Sequence, residues 1–435
     1  MLEPTLPRNQ FIGRPEEVLP KTVARCRTAE DVAEALKIAQ ANDWEFAIRG
    51  GGHSNAGYSS SRDLVIDMSP ATEISTNGTR VTIGAGVRTG ELARVLAPRE
   101  RLVPAGSCPS VGLVGVALGG GFGSHGRRHG LTCDHLVEAE VVLADGIIVS
   151  TDDEPDLLWA LRGAGGGNFG VVTKAVFETV PSTPRTHVRL TWPWRHAKTL
   201  IQQWPWDAPD DVSLELILWG SDYLDEEPQI TLIGTVPDER ALDRIGVEPA
   251  TKQIVHLNAV DAALRHPTPA DAAALDPVAI PLTTDRPGMC TARTEFFDEE
   301  IPPTAIDDLL RTFVTGRVHG ELREVAFTPW GGAYAHKAAE AAFAHRTPKF
   351  LVKHTVLVGP VGAARRGHEA LAWLDMSWST LHPHGTGRCY ANFPDPNLPD
   401  PLTSYYGANL DRLKALKRRY DPRNVFHFAQ SVKID

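Results

Sequence analysis

Short apolar runs alternate with segments of helical periodicity over the first 180 residues of the chain. Segment 28–41 carries Val32, Leu36 and Ala39 on one face, so the pattern predicts a helix, which Thr28 is placed to cap. Further helices are predicted over 89–97 and 154–163. Short apolar runs predict strands at 46–48, 64–68, 80–86, 137–146 and 170–180. Strands and helices that mix in this way, with glycine at the joints, indicate an α+β or α/β fold.

The pattern changes after the PSTP segment at 181–184. Alternating runs such as 230–236 and a helical segment over 306–314 follow, and glycine clusters become rare. The end of the chain contains an aromatic-rich loop and a basic helix, a composition typical of a tail that docks back onto an earlier domain. We therefore predict three parts, which span 1–184, 185–385 and 386–435.

Composition and charge exclude several classes of protein. The 435 residues are 42% hydrophobic and 23% charged, an ordinary globular balance. No apolar run reaches the roughly 18 residues of a membrane span, and the N-terminus lacks the basic flank and apolar core of a secretory signal. A net charge of −10 argues against binding to nucleic acid. We expect a cytoplasmic protein that binds neither membrane nor nucleic acid, and the sequence indicates no oligomeric state.

The five cysteines form neither a disulfide framework nor a zinc site, because their number is odd and no CxxC occurs. Cys108 differs from the others because it stands in AGSCPSVG (105–112), a loop-forming segment, whereas free cysteine is usually buried. It is therefore either incidental or reactive. His125, His129 and His135 lack the spacing of a metal site and are expected on the surface, so no metal is predicted.

Glycine clusters occur at 50–52, 84–86, 119–123 and 163–167. Segments 121–126 and 165–170 match GxGxxG, but a dinucleotide-binding fingerprint needs a strand before it and a helix that opens inside it, and neither segment meets this condition. Successive glycines still expose backbone N–H groups and let a flat cofactor approach closely; tight turns are the alternative. The chain contains no GxSxG, Walker loop or HExxH, so no such motif indicates a hydrolase, nucleotide or zinc-protease site.

Six segments occur in an order that is highly specific: RGGGHS (49–54), GSCPSVG (106–112), LGGGFG (118–123), RRHGLTCDHL (127–136), DLLWALRGAGGGNFGVVT (156–173) and, at 390–431, YAN followed by YYGANLDRLKALKRRYDPRNVFHFAQS. On these residues the chain resembles the berberine-bridge-enzyme-like flavoprotein oxidases of the vanillyl-alcohol-oxidase fold group, strongly at both ends and weakly in the middle. The resemblance implies an α+β fold with a PCMH-type FAD-binding domain of two subdomains over 1–184. It also implies a substrate domain over 185–385, with an antiparallel sheet covered by helices, and a C-terminal segment over 386–435 that returns to the FAD domain.

The resemblance implies FAD held by two covalent bonds, from the flavin 8α-methyl carbon to His53 and from flavin C6 to Cys108. A thiolate and an imidazole are nucleophiles suited to an electron-poor ring. Two such attachments are expected to raise the flavin potential and to hold the ring rigidly. Backbone N–H groups are expected to wrap the pyrophosphate, and residues 168–171 to lie against the ADP end. The remaining cofactor-binding residues implied are Arg49, Gly50, Gly51, Gly52, Ser54, Gly106, Ser107, Gly112, Gly115, Gly119, Gly120, Gly121, Gly123, Asn168, Phe169, Gly170, Val171 and Asn392.

Members of the family transfer a hydride from a substrate C–H to flavin N5 while a base removes a proton. Tyr390 of the CYANF segment matches the tyrosine base of bacterial relatives, with aromatic packing against the cofactor as the alternative. The strand at 349–359 is expected to cross the open face of the flavin. Its alternation turns either Lys353 or His354 toward the substrate, where a cation could lower the pKa of Tyr390. We favour His354.

The resemblance implies a small-molecule substrate, and we expect the alcohol or amine carbon of a secondary metabolite to be oxidised. Oxygen is the expected acceptor and gives hydrogen peroxide. Leu113 occupies the position that gates oxygen in the plant members, which keeps a dehydrogenase open. The alternatives are an oligosaccharide oxidase, a flavin-dependent oxidative cyclase and, more distantly, a drug-sequestering resistance protein.

Overall fold

The computed structural model describes residues 2–3, 18–204, 208–221, 223–264 and 289–434. Within these ranges the strands are β1 (Leu2–Glu3), β2 (Thr22–Arg25), β3 (Phe46–Arg49), β4 (Leu64–Asp67), β5 (Ile74–Asn77), β6 (Arg80–Gly84), β7 (Arg101–Leu102), β8 (Leu136–Val142), β9 (Ile148–Ser150), β10 (Val171–Glu178), β11 (Val180–Pro181), β12 (Arg185–Pro193), β13 (Ser213–Gly220), β14 (Gln229–Val236), β15 (Thr251–Leu257), β16 (Met289–Phe297), β17 (Glu321–Pro329) and β18 (Phe350–Val358). The α-helices are α1 (Ala29–Ala41), α2 (Thr89–Leu96), α3 (Leu113–Leu118), α4 (Gly126–His129), α5 (Pro155–Ala164), α6 (Ala197–Gln203), α7 (Ala259–Leu264), α8 (Pro303–Val314), α9 (Pro360–Leu381), α10 (Pro401–Tyr406) and α11 (Leu410–Tyr420).

A four-stranded sheet forms near the start of the chain, in the order β1-β2-β4-β3. Strands β2, β4 and β3 run parallel, and β1 pairs antiparallel with β2. Helix α1 connects β2 to β3 and buries its apolar face, as the periodicity predicts, while Thr28 and Asp31 form a reciprocal capping box at its start. The loop over 50–63 therefore leaves the carboxyl end of a parallel strand, an edge where ligands commonly bind.

An antiparallel five-stranded sheet follows, in the order β5-β6-β10-β8-β9. One hydrophobic core joins it to the four-stranded sheet, because Ile66 of β4, Val81 of β6 and Phe177 of β10 belong to the same buried cluster. Leu413 and Leu416 of α11 belong to that cluster too. The C-terminal segment thus packs onto the first 180 residues.

The seven-stranded sheet is antiparallel, in the order β15-β12-β14-β13-β17-β18-β16. Alternate residues such as Val325 and Val352 form a core with the helices α6, α8 and α9 that cover one face. On the other face Phe296 and Leu351 join a separate, aromatic cluster with Tyr390. The predicted α+β fold, with an antiparallel sheet covered by helices, is confirmed.

A buried ion pair links the two halves of the molecule at this aromatic cluster. Arg346 Nη2 lies 2.8 Å from Asp134 Oδ1, and both side chains are almost inaccessible to solvent. Asp134 also accepts a hydrogen bond from the Leu131 N–H. Because a buried charge without its partner is costly, this pair fixes the segment around 346 against the residues that follow α4.

Candidate active site

The loop after β3, which carries His53, and the loop before α3, which carries Cys108, contact each other through glycine backbone. A Cβ built on Gly51 would lie 2.3 Å from the backbone nitrogen of Gly112, so only glycine permits this backbone approach. The start of α2 holds the second loop, because Thr89 Oγ1 donates to the Cys108 carbonyl at 2.7 Å and the Gly90 N–H donates to the Pro109 carbonyl at 3.0 Å. The loop after β3 and the loop before α3 are thereby held together.

His53 and Cys108 converge on one serine hydroxyl at this junction. His53 Nε2 lies 3.0 Å from Ser110 Oγ, and Cys108 Sγ lies 3.4 Å from the same oxygen. Ser110 is 1% exposed, whereas His53 and Cys108 are half-buried. The structure therefore brings the two sequence-predicted attachment residues together from loops more than fifty positions apart.

His53 is uncharged at neutral pH. Burial lowers the pKa of its imidazole to about 4, and the nearby positive charge of Arg88 acts in the same direction. A neutral imidazole keeps a nitrogen lone pair and is therefore nucleophilic. With a thiol beside it and glycine backbone on both loops, these residues fit a covalently bound FAD.

The other cysteines occupy different surroundings. Cys26, Cys133 and Cys389 are buried, and Cys290 is half-buried. Burial raises the pKa of Cys26 to about 12 and that of Cys290 to about 11, which suppresses thiolate formation. Cys108 is half-buried, and its sulfur contacts the serine hydroxyl that also contacts His53.

The remaining predicted residues of these loops differ in exposure. Arg49 is buried and its Nε donates to the Ser59 carbonyl at 3.3 Å. Ser54 Oγ accepts from the Tyr58 N–H at 3.0 Å and closes a turn. Gly52 is buried, and Gly50 and Gly106 are half-buried. Ser107 and Gly115 are exposed.

The N–H groups of the glycines in 119–123, which were predicted to wrap a pyrophosphate, have acceptors within the protein. The N–H groups of Gly119 and Gly120 donate to carbonyls of α3, at 3.3 and 3.1 Å. Those of Gly121 and Gly123 donate to the phenol oxygens of tyrosines. The cluster also permits close packing, because a Cβ on Gly119 would clash with Asn392, and its role at the pyrophosphate stays a prediction.

The segment 168–171 is enclosed by protein. Asn168 Oδ1 accepts from the Val432 N–H at 2.8 Å, and its backbone carbonyl accepts from Lys417 Nζ at 2.7 Å. Phe169 and Val171 are fully buried, and Gly170 packs against β8. The segment thus anchors the C-terminal tail, and its place at the ADP end stays a prediction.

Tyr390 lies in the aromatic cluster between the two halves. Its phenol oxygen accepts hydrogen bonds from the Gly121 N–H at 2.8 Å and from Asn392 Nδ2 at 2.9 Å. Burial raises the pKa of Tyr390, while these two donors act in the opposite direction. The expectation that a strand cation lowers this pKa is not met, because the phenol contacts Gly121 and Asn392 rather than Lys353 or His354.

The side chain of His354 faces away from Tyr390, contrary to the prediction. Its Nδ1 lies 2.9 Å from Ser377 Oγ of α9, and its ring is fully buried between sheet and helices. Burial lowers the pKa of His354 to about 3, with Arg293 acting in the same direction. Period-two alternation gives a strand two possible phases, and the apolar residues of β18 on the helix side settle which phase holds.

Lys353 instead occupies the face that we assigned to His354. Its Nζ lies 2.9 Å from Glu324 Oε1 and 5.5 Å from the ring centroid of Phe393, which packs against Tyr390. Burial lowers the pKa of Lys353, but Glu324 and Glu215 raise it more strongly. The lysine is therefore a fixed cation. The two glutamates come from β17 and β13, and nothing in the sequence placed them here.

The sequence also led to expectations about three histidines, about metal binding and about membrane spans. His125 and His135 are buried and bonded to backbone carbonyls, so the expectation of surface histidines is wrong for them. Among the described residues no three His, Cys, Asp or Glu side chains lie close enough to hold a metal ion. No helix in the described ranges is both long and apolar enough to cross a membrane. Leu113, the proposed oxygen-gating position, is buried at the start of α3.

Comparison with known proteins matches both ends of the chain to sequence families. The family described as FAD binding domain matches residues 20–152, and the family described as berberine and berberine like matches residues 389–433. YgaK of Bacillus subtilis, an uncharacterized FAD-linked oxidoreductase, is 30% identical over 432 residues, which cover 96% of this chain and 92% of that protein. Chitooligosaccharide oxidase of Gibberella zeae is 25% identical over 95% of this chain and 87% of its own. Among solved structures, wild-type BBE-like 1 of Physcomitrella patens superposes with a TM-score of 0.84 at 26% identity, over 97% of this chain and 93% of that one.

Proposed function

Because this chain belongs to the berberine bridge enzyme-like FAD-linked oxidoreductases, we propose that it oxidises the alcohol or amine carbon of a small secondary metabolite. FAD, when bound, supplies the hydride acceptor for such a C–H bond. The protein's own residues have two tasks in this reaction. They hold the cofactor at one place, and they accept the proton that the substrate loses.

The convergence of His53 and Cys108 on Ser110 supports a bicovalent attachment more strongly than any other observation. A neutral imidazole and a half-buried thiol contact the same serine hydroxyl, so both can reach one flat ring. Each attachment would replace one hydrogen of the flavin and one of the side chain. Each would set free two electrons and two protons, which one dioxygen molecule would take up as hydrogen peroxide.

Tyr390 is the proposed base. Two N–H donors already point at its phenol oxygen, and a phenolate retains a further lone pair for the substrate proton. These donors favour the charged form, whereas burial opposes it. Lys353 replaces His354 as the proposed cation on the substrate side, because Glu324 holds its ammonium over Phe393, next to Tyr390.

Oxygen is the proposed acceptor that restores the oxidised cofactor. Leu113, which directly follows the glycine of the second loop, is buried at the start of α3 and belongs to the hydrophobic core. Stopped-flow reoxidation in air tests this part of the proposal. A fast second-order rate supports an oxidase, and a slow rate that an added quinone restores indicates a dehydrogenase.

An oligosaccharide oxidase is the second candidate, supported by chitooligosaccharide oxidase and xylooligosaccharide oxidase, which match over 95% of this chain. A peroxide-release screen with alcohols, amines and oligosaccharides separates the two. Turnover confined to oligosaccharides would overturn the first choice. The holoenzyme is used throughout, and its flavin content is measured first so that inactivity is not confused with loss of cofactor.

A further inference from the structure

Ser110 connects the two proposed attachment residues, although neither a motif nor the family resemblance singles it out. Its hydroxyl oxygen lies within hydrogen-bond distance of His53 Nε2 and Cys108 Sγ. The side chain is 1% exposed, so the protein and not solvent determines its contacts. The backbone on both sides is fixed as well, because the N–H groups of Thr89 and Gly90 donate to the carbonyls of Val111 and Pro109.

We propose that Ser110 is a positioning residue for flavin attachment, whose hydroxyl accepts a hydrogen bond from the His53 Nε2–H and donates one to the Cys108 sulfur. The inference rests on the proposed bicovalent attachment. A hydroxyl has a single proton to donate, and a thiolate can only accept. If the Ser110 hydroxyl donates its one proton to the thiolate of Cys108, it must accept a hydrogen bond in its contact with His53.

This direction determines which form of His53 is present. The ring carries one proton at neutral pH, since burial and the facing charge of Arg88 keep it neutral. If Nε2 carries that proton and donates it to Ser110, the reactive lone pair lies on Nδ1. One serine hydroxyl would thus prepare both nucleophiles, by selecting the tautomer of His53 and by stabilising the thiolate of Cys108.

The proton that Cys108 loses goes to solvent. His53 does not retain it, because burial lowers the pKa of this imidazole to about 4 and the ring stays neutral at neutral pH. Ser110 adds no redox step and forms no bond to the cofactor. Its contribution is confined to two hydrogen bonds, which a substitution to alanine removes together.

The test compares Ser110→Ala with the wild-type holoenzyme and with Ser75→Ala, an exposed serine of β5. Visible absorbance before acid precipitation measures total FAD, and peptide mass mapping measures each covalent bond. In Ser110→Ala we expect FAD to remain bound but both covalent fractions to fall. The Cys108 fraction should fall roughly tenfold or more, as for loss of a hydrogen bond to a charged atom. Wild-type linkage in Ser110→Ala, or a folded variant that binds no FAD, would overturn the inference.

A pH series separates positioning from a purely structural role. High pH favours the thiolate form of a cysteine, so raising the pH of incubation supplies the thiolate without help from Ser110. The Cys108 bond should therefore recover in Ser110→Ala at high pH, whereas the His53 bond should not, because pH does not select a tautomer. Recovery of both bonds, or of neither, contradicts the proposal.

A second pair of variants keeps the inference testable if Ser110→Ala does not fold. His53→Gln retains an N–H donor toward Ser110, whereas His53→Leu does not, and both lack the histidine bond. The Cys108 bond should form faster in His53→Gln, and equal rates would contradict the proposal. If the wild type carries no covalent flavin, the proposed attachment itself fails. If the wild type carries covalent flavin and Ser110→Ala carries as much, only the inference about Ser110 fails.

Discussion

The C-terminal segment depends on one fully buried lysine, which makes Lys417→Met a sharp test of how the tail is held. Lys417 Nζ donates to the Asn168 carbonyl at 2.7 Å, to Asp421 Oδ2 at 2.8 Å and to the Phe426 carbonyl. Neither Lys417 nor Asp421 has an exposed side-chain surface. Methionine keeps the length of the chain but removes the charge, so it leaves a buried carboxylate and two carbonyls without this donor.

The expected cost follows from that geometry. Removing one partner of a buried ion pair typically costs about 3–5 kcal/mol, because the remaining charge is desolvated and uncompensated. A loss of about 3 kcal/mol raises the opening constant of the tail by roughly a hundredfold. Hydrogen exchange of the backbone amides in 421–434 measures this opening directly, and urea unfolding measures the global effect.

Arg418→Met is the matched control, because Arg418 is the next residue of α11 and its side chain is exposed. We expect the control to change stability by less than about 0.5 kcal/mol. The double variant Lys417→Met/Asp421→Asn should lose less than the sum of its parts, since the orphaned charge is removed. Exchange in Lys417→Met as slow as in Arg418→Met would refute the reasoning.

Three further predictions concern the loops, the base and the buried histidine. Gly51→Ala should destabilise the fold by about 1–3 kcal/mol and reduce covalent flavin, because its Cβ would meet backbone at 2.3 Å; Gly166→Ala, with open space around it, is the urea-unfolding control. Tyr390→Phe should slow flavin reduction by roughly a hundredfold in stopped-flow, and a normal rate with a normal pH profile would remove the tyrosine as base. Below its ordinary pKa of about 6.5, His354 binds a proton in the unfolded chain, whereas in the folded chain it stays unprotonated down to a pH of about 3. The free energy of unfolding therefore decreases as the pH is lowered from about 6.5 to about 3, by up to about 1.4 kcal/mol per pH unit. His354→Phe should therefore show a flatter pH dependence of the urea midpoint than the wild type, and equal slopes would contradict the assignment.

Local patterns identified much of the secondary structure. Helix α1 was predicted because its periodicity and capping residue are encoded within fourteen consecutive residues. The strand at 349–359, which is β18 in the structure, was expected from the family resemblance, and its alternation left open whether Lys353 or His354 faces the substrate. Both phases of the alternation are consistent with a strand covered on both faces. Packing of Val352 and Val356 against the helices decided that Lys353, and not His354, faces Tyr390.

The geometry of the candidate site could be predicted only in part. Sequence motifs identified His53 and Cys108. The two residues come close together because the backbone of Gly51 packs against that of Gly112, and a contact between residues so far apart in the sequence cannot be predicted from local patterns. Ser110 is two residues from Cys108, so the sequence alone indicates that these two residues lie close together. The contact between Ser110 and His53 could not be predicted in this way. Glu324 reaches Lys353 only through the pairing of β17 with β18, a long-range feature of the sheet.

Acid precipitation followed by intact-mass analysis decides whether this protein is a bicovalent flavoprotein. The wild type should retain yellow flavin in the washed precipitate and show the added mass of one FAD. His53→Ala and Cys108→Ala should each keep a single bond, and the double variant should release all of its flavin. A colourless precipitate and a bare polypeptide mass for the wild type would contradict the attachment through His53 and Cys108, and with it the role that we assign to the junction of the two loops.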